Sequence, residues 1–229
     1  MTNNFIDLCK EKIIFFDGAM GTSIQSYPLS IDDFEGHEGC NEILVKTKPN
    51  IIKEIHESFL KIGCDVVETN SFGSNSIVLG EYNIAEKSYE LSFESAKIAK
   101  EITNSFSNSK PRFVAGALGP GTKLPTLGHI SYQDIKKSFY TQALGLFDGG
   151  ADIFLLETCQ DILQIKAGLA AIFKVMQEKK KKIPVMVQIT IERTGTMLVG
   201  SDVASAFCAI EPYEIDVIGM NCATGPLEM

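Results

Sequence analysis

Acidic residues and a cysteine recur where the apolar segments of this sequence end. The residues that follow these segments directly are Asp17, Glu68, Gly119, Glu157 and Cys222. If the segments are parallel strands, their carboxyl ends meet at one edge of a sheet and these side chains converge there. Carboxylates brought together in this way bind a cation, share protons or ligate a metal. The plainer alternative is that Glu68 and Glu157 accept hydrogen bonds from loop amides and only hold the edge together.

Cys222 has a position that suits chemistry. It follows an apolar segment at residues 217–220 and precedes a Gly-Pro loop, so its thiol is held rigidly while it faces a loop-lined surface. A lone cysteine is also a common small hydrophobe, and no second cysteine lies at zinc-ligand spacing. The residue spacing alone therefore leaves both interpretations open.

The first loop offers a different kind of group. Its sequence, Asp17-Gly18-Ala19-Met20-Gly21-Thr22, contains glycines that let backbone N–H groups approach an anionic ligand. The same glycines are equally compatible with a simple tight turn.

Strand and helix patterns alternate along the chain that positions these residues. Apolar runs predict strands at residues 13–16, 64–67, 112–117, 152–156, 185–191 and 217–220. Apolar periodicity and capping residues predict five helices. They run from near 49 to 62, from about 84 to 106, from a capping box at 131–134 to 149–150, from 161–164 to the lysine run at 179–182, and over 203–210 after a cap at Asp202. Alternation of this kind predicts parallel strands joined by right-handed crossovers.

A motif that occurs twice in the sequence supports a repeated strand–helix unit. Gly63 precedes a strand that ends in Glu68-Thr69, and Gly150 precedes a strand that ends in Glu157-Thr158. Repeated units favour a TIM-type (β/α)8 barrel, of which about six strand–helix units are present, with open sheet edges as a consequence. The competing architecture is an open doubly wound sheet, but the first loop lacks the G-x-G-x-x-G fingerprint of dinucleotide-binding folds.

Composition excludes several classes of partner. The 229 residues carry a net charge of −8, which argues against nucleic acid and anionic membranes as partners. No window approaches the roughly 18 apolar residues of a membrane span, and no signal peptide is evident. Six cysteines without a C-x-x-C pair fit a reducing compartment, so we expect a cytoplasmic protein. No predicted strand ends in a lysine, which argues against a Schiff-base aldolase.

Several motifs together resemble one known family. They are Phe16-Asp17-Gly18-Ala19-Met20-Gly21-Thr22, Cys40-Asn41-Glu42, Glu68-Thr69-Asn70-Ser71-Phe72-Gly73, Gly116-Ala117-Leu118-Gly119-Pro120, Leu156-Glu157-Thr158 and Gly219-Met220-Asn221-Cys222-Ala223-Thr224-Gly225-Pro226. In this order the motifs resemble the homocysteine S-methyltransferase family, and within it the homocysteine-binding domains of cobalamin-dependent methionine synthases. The likeness runs over nearly the whole chain.

The resemblance implies a site and a cofactor. It implies that Asp17 and Glu157 hold the homocysteine ammonium, that the N–H groups of Gly18 and Ala19 hold its carboxylate, and that Glu68 and Thr69 lie behind them. It also implies a catalytic zinc with Cys222 as one thiolate ligand. The family's other two ligands form an adjacent pair in a Gly-Gly-Cys-Cys motif, which this sequence lacks. The resemblance therefore implies that residues 1–229 are the N-terminal part of a homocysteine-binding domain.

Three functions remain open at this point. The first is methyl transfer to homocysteine from methylcobalamin, which is recharged from methyltetrahydrofolate, with both supplied by other modules of a longer chain. The second is a related enzyme that uses betaine or S-methylmethionine. The third is an inactive barrel fragment or partner-binding module. A barrel lyase with a phosphorylated substrate is less favoured, because it predicts a phosphate site in the last two strand loops, which this sequence lacks.

Overall fold

The computed structural model describes residues 4–106, 110–225 and 227–229 as strands and helices arranged around one sheet. The strands are β1 (Val66–Glu68), β2 (Phe113–Leu118), β3 (Ile153–Cys159), β4 (Val185–Ile189) and β5 (Val217–Met220). The helices are α1 (Phe5–Glu11), α2 (Met20–Gln25), α3 (Leu44–Thr47), α4 (Pro49–Ile62), α5 (Ser76–Glu81), α6 (Ser88–Phe106), α7 (Tyr132–Gly149), α8 (Ile162–Lys179) and α9 (Val203–Ile210). Short 3₁₀ turns cover Ile31–Phe34, Asn41–Ile43, Ala85–Lys87 and Pro125–Leu127.

The strands form a parallel sheet in the order β1-β2-β3-β4-β5. Strands that are adjacent in sequence are adjacent in the sheet, so their carboxyl ends all lie at one edge. The strand order does not reverse, which excludes the doubly wound alternative, because that fold has a switch point in its strand order. The architecture is the predicted one: part of a TIM-type barrel.

The first predicted strand is wrong as a regular strand. Residues 13–16 make a single parallel bridge, from Phe16 to Val66. The N–H of Phe15 donates to the Asp65 carboxylate at 3.1 Å instead of to a backbone carbonyl, which interrupts the ladder. The buried Asp65 carboxylate is itself paired with Lys12 at 2.7 Å and Lys110 at 2.9 Å. The described sheet therefore has five strands and a bridged segment rather than six strands.

Side chains of the strands alternate between two layers. One layer is an inner cluster of Phe5, Val66, Phe113, Ala115, Ile153, Leu155 and Met186. The intervening residues, such as Val114, Phe154 and Leu156, pack against the helices that cover the other face. Helix α1 was not predicted from the sequence. It places Phe5 in the inner cluster, where its ring lies 5.5 Å from that of Phe113. Because Phe113 begins β2, α1 packs at the amino ends of the strands.

The helix boundaries follow the capping chemistry of the sequence. The Ser131 hydroxyl accepts the Asp134 N–H at 3.1 Å, as predicted from the capping box. The Asp202 carboxylate accepts the Ser205 N–H at 2.7 Å at the start of α9. Helix α4 begins at Pro49 and ends at Ile62, and the next residue, Gly63, has a φ of 112°, the left-handed cap conformation that glycine favours. In the described ranges, no helix has the length and apolar character needed to cross a membrane.

Apolar side chains are exposed beside the bridged segment. Ile13 and Phe15 are 77% and 63% exposed, and Ile62 at the end of α4 is 82% exposed. These residues lie at the edge of the sheet next to β1, on the far side from β2. This agrees with the open, apolar sheet edge that the count of strand–helix units predicts.

Candidate functional site

Three carboxylates meet at the edge formed by the strand carboxyl ends. Asp17 follows the bridged Phe16, Glu68 ends β1, and Glu157 lies near the end of β3. The N–H of Glu68 donates to both carboxylate oxygens of Asp17, each at 3.1 Å. Glu157 is only 8% exposed, and the other two carboxylates are half-buried. We call this edge the mouth, defined by Asp17, Glu68, Glu157, Asn221 and Cys222.

Burial raises the pKa of all three mouth carboxylates, and neighbouring negative charge raises the pKa of Asp17 and Glu157 further. Burial raises the pKa of Asp17 to about 8, with a further contribution from the charge of Glu68. Burial also raises the pKa of Glu68 to about 7. The pKa of Glu157 is raised to about 8 by burial and then by the charges of Glu68 and Asp17. At neutral pH the mouth therefore holds protons that it would lose if a cation entered.

The end of β3 is irregular where it enters the mouth. The pairing register with β4 shifts between Leu156 and Cys159, and Thr158 has a φ of 57°. A bulge of this kind redirects the side chains that follow a strand. The sequence predicted Glu157 at a strand end but gave no indication of this irregular backbone.

Asn221 connects the ends of β3 and β5, and the sequence did not single it out as a site residue. Its side-chain amide donates to the Thr158 hydroxyl at 2.9 Å and to the Glu157 carboxylate at 3.5 Å. The oxygen of its side-chain amide, Oδ1, accepts the Thr158 N–H at 3.2 Å. The Thr190 hydroxyl at the end of β4 contacts the same oxygen at 3.3 Å. The available signal was an amide that precedes a cysteine at a strand end.

Cys222 lies immediately beyond Asn221, and its side chain is exposed. Its sulfur lies 3.7 Å from the Thr158 hydroxyl oxygen. Cys222 and Ala223 have φ values of 60° and 54°, so the chain turns sharply as it leaves β5. The structure thus places the Cys222 thiol, which the sequence analysis selected, beside Thr158, the residue that follows Glu157.

The first loop presents two backbone donors beside Asp17. In the part of the chain that the structure describes, the N–H groups of Gly18 and Ala19 donate no hydrogen bond. A Cβ on Gly18 would lie 2.9 Å from the Phe59 ring, so glycine at this position lets the loop pack closely on α4 without displacing that ring. The two interpretations of the loop glycines are therefore compatible.

Thr69 is directed into the protein. Its hydroxyl accepts the Ala117 N–H at 2.9 Å and lies 2.6 Å from the Ser71 hydroxyl, and the residue is 4% exposed. A contact between Thr69 and a ligand stays a prediction. Glu42 was not predicted as a site residue. Its carboxylate accepts the Gly73 N–H at 2.7 Å and thereby holds the loop after β1.

The described residues do not by themselves form a metal site. Within residues 4–106, 110–225 and 227–229, no three His, Cys, Asp or Glu side chains are grouped so that they could hold a metal ion. Cys40, Cys64 and Cys159 are buried and do not join Cys222. The described residues thus supply one exposed thiol of the predicted zinc site, and they do not form a complete ligand set.

Comparisons with known proteins agree on one family. The family model for homocysteine S-methyltransferase matches residues 14–229. The chain is 46% identical over 227 residues to the methionine synthases of Mycobacterium tuberculosis and Mycobacterium leprae. These matches cover 99% of this chain and 19% of each relative, so the chain spans about a fifth of their length.

Solved structures agree on the fold. The homocysteine methyltransferase MmuM from Escherichia coli, in its metallated form, superimposes with a TM-score of 0.75 at 20% identity. The match covers 94% of this chain and 77% of MmuM. The oxidised form gives the same TM-score at 19% identity.

Fold and site together define a partial TIM-type barrel whose mouth carries buried or half-buried carboxylates and a thiol. The chain belongs to the homocysteine S-methyltransferase family and is related to methionine synthase.

Proposed function

We propose that residues 1–229 are the homocysteine-binding part of a methionine-synthase-type methyltransferase. The observation that carries this proposal is the convergence of Asp17, Glu68 and Glu157 beside the exposed Cys222 thiol. Family membership and the 46% identity to methionine synthases favour homocysteine over other amino acids. A cytoplasmic location is part of the proposal, and the unpaired state of all six cysteines is consistent with it.

Asp17 and Glu157 bind the ammonium group in this proposal. Each carboxylate is disfavoured as an anion because it is buried beside other acids, and an ammonium removes that penalty. The unbonded N–H groups of Gly18 and Ala19 next to Asp17 are suited to the substrate carboxylate. Glu68 holds Asp17 through its N–H, and Thr69 fixes the loop behind it.

The substrate thiol points towards Cys222 in the same arrangement. Thr158 follows Glu157 and lies 3.7 Å from the Cys222 sulfur, so an ammonium at Glu157 is close to the thiol. We propose that Cys222 is a catalytic residue that contributes one thiolate to a zinc ion, since thiolates suit zinc. Further ligands would have to come from outside the described residues, because those residues contain no complete set.

The complete reaction belongs to a longer protein in this proposal. Homocysteine would lose its thiol proton and accept a methyl group on sulfur, which gives methionine. The methyl donor would be methylcobalamin, recharged from methyltetrahydrofolate, with both carried by modules beyond the fifth of the methionine synthases that this chain matches. Use of betaine or S-methylmethionine is the alternative, and a parent chain without cobalamin and folate modules would favour it.

A partner-binding or inactive fragment is the second candidate. The exposed Ile13, Phe15 and Ile62 favour it, because they form an apolar edge that another protein surface could cover. This candidate predicts self-association of the chain without any affinity for homocysteine.

A ligand series tests the proposal. Isothermal titration of the chain with L-homocysteine is compared with 4-sulfanylbutanoate, which lacks only the ammonium, and 3-aminopropane-1-thiol, which lacks only the carboxylate. We expect homocysteine to bind at least about tenfold more tightly than either analogue, because a charge-assisted hydrogen bond contributes about 1.5–3 kcal/mol.

Matched variants locate the effect at the mouth. Asp17→Asn should remove the preference for homocysteine over 4-sulfanylbutanoate, whereas Glu86→Gln, at an exposed position between α5 and α6, should keep it. Equal binding of homocysteine and 4-sulfanylbutanoate by the unmodified chain would overturn the assignment of the ammonium site.

A further inference from the structure

The backbone of Thr158 is held in an unfavourable conformation. Its φ of 57° lies in the left-handed region, where a β-branched side chain is strongly disfavoured. Residues in such conformations persist only where the surrounding structure holds them, and they concentrate at functional sites. The contacts that hold Thr158 therefore identify a part of the mouth with a specific task.

Among the described residues, the Asn221 side chain contacts both the backbone and the hydroxyl of Thr158, and the Cys222 sulfur lies 3.7 Å from the same hydroxyl. The side-chain oxygen of Asn221, Oδ1, accepts the Thr158 N–H at 3.2 Å, and its side-chain nitrogen, Nδ2, donates to the Thr158 hydroxyl at 2.9 Å. The same amide group reaches the Glu157 carboxylate at 3.5 Å. Asn221 thus binds the backbone and the side chain of Thr158 and the carboxylate that precedes it.

Asn221 is itself fixed by the sheet. Its N–H donates to the Ile189 carbonyl at 3.2 Å, which continues the pairing of β4 with β5 by one residue. The Thr190 hydroxyl contacts the Asn221 backbone oxygen at 3.2 Å and its side-chain oxygen at 3.3 Å. The chain turns into left-handed conformations only after this anchored residue, at Cys222 and Ala223.

We propose that Asn221 is the positioning residue of the mouth: it clamps the irregular end of β3 to the end of β5, so that the Glu157 carboxylate and the Cys222 thiol face one ligand. The role assigned to the ligand rests on the proposed function, since homocysteine would carry its ammonium to Glu157 and its sulfur to Cys222. The clamp itself is a property of the three strand ends.

Only an amide meets the requirements of this position. The side chain must accept from the Thr158 N–H and donate to the Thr158 hydroxyl and to the Glu157 carboxylate. An ionised aspartate accepts but cannot donate, and it would place a second negative charge beside Glu157. A leucine of similar size can do neither.

The first test measures homocysteine affinity by titration calorimetry. We expect Asn221→Asp and Asn221→Leu to weaken homocysteine at least tenfold, while Glu86→Gln stays within twofold of the unmodified chain. In a double-mutant cycle, Asn221→Leu should add less than threefold to the loss caused by Glu157→Gln, because both changes disable the same carboxylate. Fully multiplicative losses would indicate a general structural effect and would overturn the clamp.

A second pair of variants guards against misfolding of the Asn221 variants. Thr158→Ser keeps the hydroxyl, and Thr158→Val keeps the branched shape without it. The clamp requires Thr158→Val to bind homocysteine at least threefold more weakly than Thr158→Ser, with both chains showing the circular dichroism of the unmodified chain. Equal affinities would contradict it.

A third measurement needs no homocysteine. Iodoacetamide alkylation is followed by mass spectrometry at Cys222 and at Cys9 and Cys208, which are also exposed and serve as internal controls. Thr158→Val and Asn221→Leu should each accelerate alkylation of Cys222 at least threefold and leave the two controls unchanged.

The three measurements separate the two proposals. If the unmodified chain does not bind homocysteine but the alkylation of Cys222 changes as expected, the proposed function fails and the clamp stands. If homocysteine binds and neither its affinity nor the Cys222 rate responds to the variants, the clamp fails and the proposed function stands.

Discussion

The same dipeptide lies at the ends of two strands of the sheet and has two different environments. Glu68-Thr69 ends β1, and Glu157-Thr158 lies at the end of β3. Thr69 is 4% exposed, and its hydroxyl accepts the Ala117 N–H of the neighbouring strand. Thr158 is half-buried, has a φ of 57° and is bound by Asn221 across the mouth.

The difference comes from the strand pairing next to each dipeptide. Glu68 remains in register with Ala115, and the Thr69 N–H donates to the Ala115 carbonyl at 3.0 Å, so the regular pairing continues. The register of β3 with β4 shifts after Leu156, and that shift rotates Thr158 towards β5. Sequence similarity within a chain therefore identifies equivalent positions in the barrel and does not by itself assign equivalent roles.

The largest expected effect contrasts the two threonines in stability. Thr69→Val leaves the buried Ala117 N–H without its partner, which should lower the free energy of unfolding by about 2 kcal/mol, within a range of about 1–3 kcal/mol. Thr158→Val removes bonds at a half-exposed position and should cost about 1 kcal/mol or less. Urea-induced unfolding of both variants measures the contrast. Equal losses would mean that Thr69 is not the more structural of the two residues.

A second prediction concerns pH and the carboxylate that precedes Thr158. The pKa of Glu157 is about 8 in the folded chain and near its ordinary value of 4.5 when unfolded. Between these values the folded chain holds a proton that the unfolded chain has lost, so stability falls as pH rises from about 5 through 8. Glu157→Gln cannot ionise and should become more stable relative to the unmodified chain over this range, by on the order of 2 kcal/mol.

Taking the difference in stability between Glu157→Gln and the unmodified chain removes the contribution of groups that titrate alike in both. Burial lowers the pKa of His56 to about 4, and that group titrates alike in both chains, so it cancels in the difference. A Glu157→Gln difference that does not change between pH 5 and pH 9 would contradict the buried, proton-holding state of Glu157.

The smallest expected effect is a difference in stability between glycine and alanine variants that has opposite signs at positions 158 and 69. At position 158 glycine should be more stable than alanine by about 1 kcal/mol, because alanine retains the left-handed strain and glycine does not. At position 69 alanine should be more stable than glycine by about 0.5–1 kcal/mol, as in ordinary extended backbone. Thermal or urea unfolding of these four variants provides the measurement. The same sign at both positions would remove the conformational difference between the two dipeptides.

Much of the fold follows from local pattern in the sequence. Apolar runs and capping residues such as Ser131 and Asp202 locate the strands from β1 onwards and the helices α4 and α6 to α9, because burial and end-capping act over a few residues. The failure at residues 13–16 has a tertiary cause. The side chain of Asp65, some fifty positions later, takes the N–H of Phe15 that a regular strand would use.

Some features of the candidate site could likewise be predicted from local sequence pattern, and others have a tertiary cause. Placement of Asp17, Glu68, Glu157 and Cys222 at one edge follows from the strand–helix alternation alone. The clamp by Asn221 could not be anticipated, because it joins residues 63 positions apart and depends on a register shift that no local pattern marks. Helix α1 was missed because its seven residues are too short to show a clear period.

The most direct test compares the two glutamates of the repeated dipeptide. L-Homocysteine is titrated at pH 8 into the unmodified chain and into Glu157→Gln and Glu68→Gln, with folding of each variant checked by circular dichroism. We predict that Glu157→Gln weakens binding at least about tenfold, because it removes a charge that contacts the ammonium, and that Glu68→Gln weakens it less than threefold. Equal losses in both variants, or a greater loss in Glu68→Gln, would contradict the assignment of the β3 end to the substrate and the β1 end to the scaffold.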